Sequence, residues 1–398
     1  MKKKYSKDQV MILIGACLFQ CAMIGVLINC SGVLFAQIRQ EMGFSMSKVS
    51  VYNTIKSVPT AASAAYVTAL FFRSDKAKFL LVNQLTIIAG FLLIIFDAEG
   101  ILWYASAVLI GVSSCIGSVA VPMLLSQWFP GNAGTATGIA MAFSGIGGAL
   151  CNPLCARLIT ALGWKWAIVL LGLIMIAMTV PGLYLMFRKP VPEEVAAAKK
   201  EETAALKTGR RNFAAMLLVC LTLLGGSMGV TFAINISMYA QSIGYSLAVG
   251  ASLTTMIMLG NVGSKFIYGI LCDRIGVWKA TMLTLAAAIA ALGCFLLAQN
   301  QLAVLMGAAL LYGGVYALAM VAISRCCISA YGQQESKYYL GIHTCVNSVV
   351  MAGASLLLGF LVDHTNGFTA VLLVTLGTMV CSLAAAWAMD TIVKNRDI

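Results

Sequence analysis

The sequence predicts an all-α integral membrane protein with twelve transmembrane helices in two parallel six-helix halves. Three observations carry that prediction. Charged residues make up only 10% of 398, and mean hydropathy is +0.92. An ordinary soluble domain is about 25% charged, so a water-soluble globular enzyme is excluded. The charges are also clustered. None stands between Glu99 and Arg157, between Arg211 and Lys265, or between Lys279 and Arg325, and only His343 interrupts the apolar stretch from Lys337 to Asp363. A helix crossing a bilayer needs about 20 apolar residues, so each run holds one or two spans. The third observation is an internal repeat, described below.

In chain order the apolar runs give spans at about 10–36, 47–71, 79–97, 101–127, 134–160, 165–187, 213–239, 247–271, 278–298, 302–327, 338–362 and 368–389. The first follows Lys2, Lys3, Lys4 and Lys7 and meets no further charge from Gln9 until Arg39. That is longer than the roughly 7 to 15 residue core of a signal peptide, so it reads as a retained helix. An even number of spans puts both termini on one side. With that side cytoplasmic, only Arg39, Lys48, Arg157 and Lys165 of the 26 basic residues fall outside, while Lys56, Lys265 and Arg325 fall within spans. The positive-inside rule therefore orients the chain as a multi-pass protein of a bacterial-type cytoplasmic membrane. The net charge of +12 belongs to this pattern and calls for no nucleic acid. Nearly all of the 13 cysteines lie in apolar runs, where cysteine acts as a small hydrophobe; neither disulfides nor a metal site is expected.

The polar stretch Arg188 to Arg211 separates six spans from six. It divides the chain into an N-terminal bundle 1–187, a cytoplasmic linker 188–212 and a C-terminal bundle 213–398. The halves repeat in parallel order. Gly25-Val26 matches Gly229-Val230 and Ala36-Gln37 matches Ala240-Gln241 at a spacing of 204, while Gly111-Val112 matches Gly314-Val315 and Gly138-Ile139 matches Gly341-Ile342 at 203. Parallel six-helix halves joined by a polar linker resemble the build of the major facilitator superfamily.

More specific motifs extend the resemblance. Gly269-Ile-Leu-Cys-Asp273-Arg274-Ile-Gly276 after span 8 resembles that superfamily's G-x-x-x-D-R-x-G signature, and Arg73-Ser-Asp75-Lys76-Ala-Lys78 after span 2 is its counterpart without the glycines. The resemblance implies a gating role for Asp273, Arg274 and Asp75; the alternative is a basic turn anchored at the cytoplasmic face. Trp128-Phe129-Pro130, Gly134-x-Ala136-x-Gly138-Ile139, Cys151-Asn152-Pro153 and Ser31-Gly32-Val33-Leu34-Phe35 are similar to segments of the monocarboxylate and oxalate/formate transporters. Asn261-x-x-x-Lys265 falls where those families carry an acid or Asn followed by Arg. The departures are Asn29 where the mammalian type has Lys, Asn261 in place of the acid, and Val346 after His343 where the oxalate/formate pattern has Lys.

Lysines inside a membrane cost about 2.5 to 3.5 kcal/mol on insertion scales, so they mark wet pathways by default. Lys56 lies about 13 Å into span 2 and Lys265 about 9 Å into span 8, at 1.5 Å per residue. Each has polar neighbours at helical spacing: Tyr52, Asn53, Thr60 and Ser63 for the first, Asn261 and Tyr268 for the second. The alternative is that each snorkels to its nearer interface, the reading favoured for Arg325 at the end of span 10. None of the 14 acids lies in a span interior; Asp97, Asp363 and Asp390 sit at ends. Two buried cations without a carboxylate call for an anionic substrate. His343 and, one turn on, Asn347 in span 11 either serve that substrate or carry a proton, or simply bond near the cytoplasmic gate. Asn29, Asn235 and Tyr316, in spans 1, 7 and 10, line the central cavity by the family resemblance or else bond a neighbouring helix.

The expected function is a secondary carrier of a small organic anion, a mono- or dicarboxylate, working by alternating access as a monomer in lipid, with antiport preferred. Lys265 and Lys56 would hold the carboxylate, oriented by Asn261, Asn29, Asn235, Tyr316, His343 and Asn347. No cofactor is expected, since G-x-x-x-x-G-K-[ST] does not occur. A proton-coupled monocarboxylate symporter, a carrier-like sensor and a drug exporter are the alternatives. An enzyme is not expected, because no His, Asp, Glu or Ser cluster converges.

Overall fold

A computed structural model describes residues 5–73, 76–96, 100–129, 133–187, 213–365 and 367–394. Among these residues there is no strand, and a helix occupies each of the expected spans. Among the described residues nine helices are long and apolar enough to cross a membrane, and Leu81–Phe96 and Ile101–Ser114 are shorter apolar stretches. Large apolar side chains such as Ile101, Trp166, Leu297 and Trp387 are exposed, as a surface facing hydrocarbon requires. The chain forms two compact units, Met1–Met42 with Ile55–Ala205 and Gly43–Thr54 with Leu206–Ile398.

In the first unit, span 1 begins at Lys7 behind a capping box, in which Ser6 and Gln9 satisfy each other's backbone N–H. It is not one helix. It passes from Lys7–Gln20 through a π-helical turn, Cys21–Val26, and an irregular turn at 27–30 into Ser31–Met42. Span 2 is Met46–Arg73, span 3 Lys76–Phe96, span 4 Ile101–Trp128, span 5 Ala133–Leu162 and span 6 Trp164–Phe187. Span 1 sits close against spans 5 and 6 through glycine. A Cβ on Gly147 would fall 2.6 Å from the Cys21 carbonyl oxygen, and one on Gly15 would fall 2.6 Å from that of Gly182.

In the second unit, span 7 breaks at Asn235, between Phe213–Ile234 and Ile236–Ser242. Span 8 is Leu247–Ile275 and span 9 Val277–Leu297. Span 10 begins as Leu302–Tyr312, breaks at Gly313 and Gly314, and resumes through a π-helical turn at Leu318–Ala322. It then continues without interruption to Gly332, whose φ of +79° separates it from span 11, which ends at Thr365; span 12 is Thr369–Lys394. The sequence places the end of span 10 near 327 and the start of span 11 near 338. The helices extend further because one glycine makes the turn. An aromatic cluster ties spans 7, 9 and 10 together: Phe232 meets Tyr239, Phe295 and Tyr312 edge-on at 5.6 to 5.8 Å, and Tyr239 Oη donates to the Phe295 carbonyl at 2.5 Å.

Candidate functional site

Span 8 carries Lys265, and its ends determine how deep that lysine sits. Ser246 caps the start, accepting from the Val249 N–H at 3.4 Å. At the other end Gly276, the last residue of the G-x-x-x-D-R-x-G motif, has φ +88° and ψ 157°, a conformation essentially confined to glycine. The helix thus ends at Ile275 rather than near 271. Lys265 lies about ten residues, or roughly 15 Å, before that end, which weakens the snorkelling alternative. Its Nζ is buried and has no hydrogen-bond partner.

Asn261, one turn earlier on the same face, is 1% exposed. Its Nδ2 reaches only the Met258 sulfur at 3.9 Å, and its Oδ1 has no partner. Span 10 presses directly on this turn. A Cβ on Gly260 would fall 1.9 Å from the Leu310 carbonyl oxygen, and one on Gly313 would fall 2.5 Å from the Asn261 nitrogen. Ser264 Oγ donates to the Gly313 carbonyl at 3.3 Å across the crossing. Tyr316 follows one turn beyond Gly313, buried, with a hydroxyl that meets no partner. Three unpartnered buried polar groups therefore come from two helices in contact, one of them an ammonium. Burying an ammonium without a counter-charge is strongly unfavourable, so the Lys265 position is suited to meeting an anion.

The remaining candidates of this unit are engaged elsewhere. Asn235, at the break in span 7, donates through Nδ2 to the Thr231 carbonyl at 2.8 Å. His343 is buried with both ring nitrogens occupied: Nδ1 lies 3.2 Å from Cys220 Sγ and Nε2 lies 3.0 Å from Tyr331 Oη. Tyr331 also stacks on the histidine ring and on Tyr339. Asn347 Oδ1 accepts from Ser227 Oγ in a very short hydrogen bond. Cys220, Ser227, His343 and Asn347 line one small cleft between spans 7 and 11. His343 and Asn347 thus share a site with each other, not with the contact between spans 8 and 10.

In the first unit Asn29 lies in the irregular turn of span 1 and donates through Nδ2 to the Ser144 carbonyl of span 5 at 3.0 Å. This is the helix-to-helix bond that the sequence leaves open as its alternative. Lys56 is half-buried at the crossing of spans 2 and 4. There a Cβ on Gly111 would fall 2.3 Å from the Lys56 carbonyl oxygen, and Thr60 Oγ1 donates to the Lys56 and Gly111 carbonyls at 2.8 and 2.7 Å.

Of the gating residues, Asp273 pairs with Arg325 of span 10 at 3.4 Å, both well exposed, and Arg274 is exposed beside it. Asp75 lies outside the described residues. The sequence marks Arg325 as an interfacial anchor and does not show this partner, which stands 52 positions away. Nor does it show Ser227, Gly260 or Gly313. Ser264 was findable, since it stands 204 positions after Thr60, the spacing of the repeat.

Comparison with known proteins agrees with this architecture. The nucleoside transporter NupG superposes with a TM-score of 0.71 over 96% of this chain and 99% of its own, at 12% identity, a likeness of fold alone. The probable sulfoacetate transporter SauU of Cupriavidus necator is 25% identical over 255 residues, 60% of this chain and 59% of that one. Monocarboxylate transporter 11 of Homo sapiens is 26% identical over 280 residues, 65% and 56% of the two chains. The chain thus spans less than two thirds of the length of these relatives. The sequence profile of the Major Facilitator Superfamily matches residues 12–352, nearly the whole of the helical chain. With its membrane helices, its repeated halves and that match, the protein belongs to the Major Facilitator Superfamily.

Proposed function

We propose that this protein carries a small organic anion, a mono- or dicarboxylate, across the cytoplasmic membrane by alternating access, exchanging one anion for another. The observation that carries the reading is the Lys265 ammonium, buried without a partner one turn from Asn261 on a helix that packs against the span of Tyr316, in a chain with no acid in a span interior. A substrate carboxylate supplies the missing counter-charge, Lys265 holds it, and Tyr316 and Asn261 orient it; Lys56 is the second cation. Asn29 and Asn235, both at helix breaks, act by shaping the turns. Discontinuous helices of this kind present backbone groups to substrates in other carriers. That two relatives carry sulfoacetate and monocarboxylate in their names supports an anion as the class.

Antiport follows from the same charge pattern. A lysine neutralised alternately by two anions couples inward and outward movement with no protonatable carboxylate in the membrane. The histidine that would serve a symporter has both ring nitrogens occupied by Cys220 and Tyr331. We further assign the halves as bundles 1–187 and 213–398 around a cytoplasmic linker, with both termini cytoplasmic and the monomer as the working unit.

The test is counterflow in proteoliposomes, with unlabelled organic acid inside, labelled acid outside and no proton gradient. Exchange that persists without a gradient, with negligible net uptake when one is imposed, is the expected result. Gradient-driven net uptake that disappears in His343→Ala would make the protein a symporter instead, and binding without movement would make it a sensor.

A further inference from the structure

Cys220 of span 7 meets a base. Its Sγ lies 3.2 Å from His343 Nδ1, and the other ring nitrogen, Nε2, lies 3.0 Å from Tyr331 Oη. The tyrosine ring also stacks on the imidazole, 19° from parallel, and Tyr339 stacks on the tyrosine at 4.0 Å. Spans 7, 11 and 10 thus supply, in that order, a nucleophile, a base within hydrogen-bond reach and a third group that orients the base. That is the arrangement by which a weak nucleophile is activated. For Nδ1 to take the thiol proton, Nε2 must carry the ring hydrogen, and Tyr331 Oη is placed to accept it. The chain has one other histidine, His364, which bonds the Phe360 carbonyl of its own helix. Among the described cysteines only Cys220 therefore has an imidazole partner.

Exposure alone points elsewhere. Cys345 and Cys381 are exposed, whereas Cys220 is partly exposed. Cys220 opens into the cleft between spans 7 and 11, whose room of about 10 Å³ holds one water-sized molecule. Leu223, Leu224, Val346 and Val350 make up half of its lining, so an ion entering would lose hydration that these walls do not replace. The reagent suited to this sulfur is small and uncharged.

We propose that Cys220 is an oxidation site for a small uncharged peroxide, hydrogen peroxide being the simplest, with His343 as the base and Tyr331 as a positioning residue. The sulfur attacks one peroxide oxygen, so that an S–O bond forms as the O–O bond breaks. The thiol proton passes to His343 Nδ1 and from there to the departing oxygen, which leaves as water. Sulfur gives up two electrons, the peroxide gains them, and the product is a sulfenic acid that thiols reduce back. Thiol and imidazole rest neutral, because separating charge in the cleft costs solvation, and the proton moves only as the sulfur attacks. None of this draws on the nature of the transported substrate.

The test follows each thiol separately. The full chain in detergent is exposed to hydrogen peroxide, quenched, denatured and alkylated, and the free thiol left at each cysteine is read by peptide mass spectrometry. Cys220 is lost about tenfold or more faster than Cys345 and Cys381, and His343→Gln removes that advantage while leaving the other two rates unchanged. Dithiothreitol restores the Cys220 thiol. Tyr331→Phe, which keeps the stacked ring and deletes only the acceptor, slows Cys220 by a smaller factor, and it decides the matter if His343→Gln lowers the melting temperature. Loss at Cys220 no faster than at the exposed cysteines would overturn the proposal. So would a fast loss that neither variant slows in protein melting as the native chain does, or one that dithiothreitol does not reverse even at the earliest times.

Discussion

The crossing of spans 2 and 4 in the first unit and that of spans 8 and 10 in the second are built alike and charged differently. In the first, Thr60 bonds the Lys56 and Gly111 carbonyls, and Gly111 has no room for a Cβ. In the second, Ser264 bonds the Asn261 and Gly313 carbonyls, and Gly260 and Gly313 have no room. Thr60 and Ser264 are 204 positions apart, the repeat spacing, so one hydroxyl holds the same frame twice, while each crossing has its close-packed glycine at a position the repeat does not match. The lysines do not repeat. The position matching Lys56 is Gly260, and the position matching Lys265 is Ala61. Close packing tolerates little change at a backbone contact, whereas the residue on the adjoining turn is free to vary. The frame is thus common to both halves, and the lysine is particular to each.

Substitutions at the two crossings break or sharpen that comparison. The largest expected effect is on folding. Gly260→Ala and Gly111→Ala each drive a methyl into a backbone carbonyl that cannot move without its helix, costing about 3 kcal/mol or more, Gly260→Ala the more because 1.9 Å is tighter than 2.3 Å. Melting in detergent measures this, and an unchanged melting temperature for either variant would mean that its crossing is not a close backbone contact. Next comes loss of transport without loss of fold. Lys265→Ala is expected to lower uptake at least a hundredfold in a protein that still inserts and melts normally, because it removes the charge proposed to meet substrate. Lys265→Arg retains part of the activity, keeping charge but not geometry. Lys56→Ala should cost less, since its ammonium is not among the unpartnered buried groups; matched losses would make both lysines direct ligands.

A smaller effect is expected at the cytoplasmic end. Asp273→Asn removes an exposed ion pair with Arg325 worth about 0–1 kcal/mol, so it shifts the balance of inward-open and outward-open states by up to about fivefold. Cysteine accessibility from the two sides reads that shift, and unchanged accessibility would reduce the pair to a surface contact. The smallest is at the hydroxyls. Thr60→Val and Ser264→Ala each lose one interhelical hydrogen bond worth about 0.6 kcal/mol in a membrane. Similar losses of melting temperature support the shared frame, and an effect at one position alone counts against it.

Much of this was legible in the sequence because the membrane acts on each residue separately. A charge in hydrocarbon is costly wherever it occurs, so the charge-free runs mark the spans and the residual lysines mark exceptions, whatever they pack against. The spacing of 204 disclosed the halves, and the Gly276 of a recognisable motif disclosed where span 8 turns. The ends of spans 8 and 10 were placed too early because hydropathy fades before the helix does, and only the backbone angles of Gly276 and Gly332 mark where each stops.

By itself, then, the sequence determined the class, the spans, the repeat and the absence of a membrane acid, all properties of single residues or of fixed spacings. The tertiary structure decided which polar groups are left over. Asn29 is taken up by Ser144, His343 by Cys220 and Tyr331, Asp273 by Arg325 and the start of span 2 by Asp363, each across 12 to 317 positions of chain. Lys265, Asn261 and Tyr316 keep unpartnered atoms. A side chain's hydrogen-bonding capacity is written in its identity, but whether that capacity is spent depends on what the fold brings beside it, and a binding site is made of what remains.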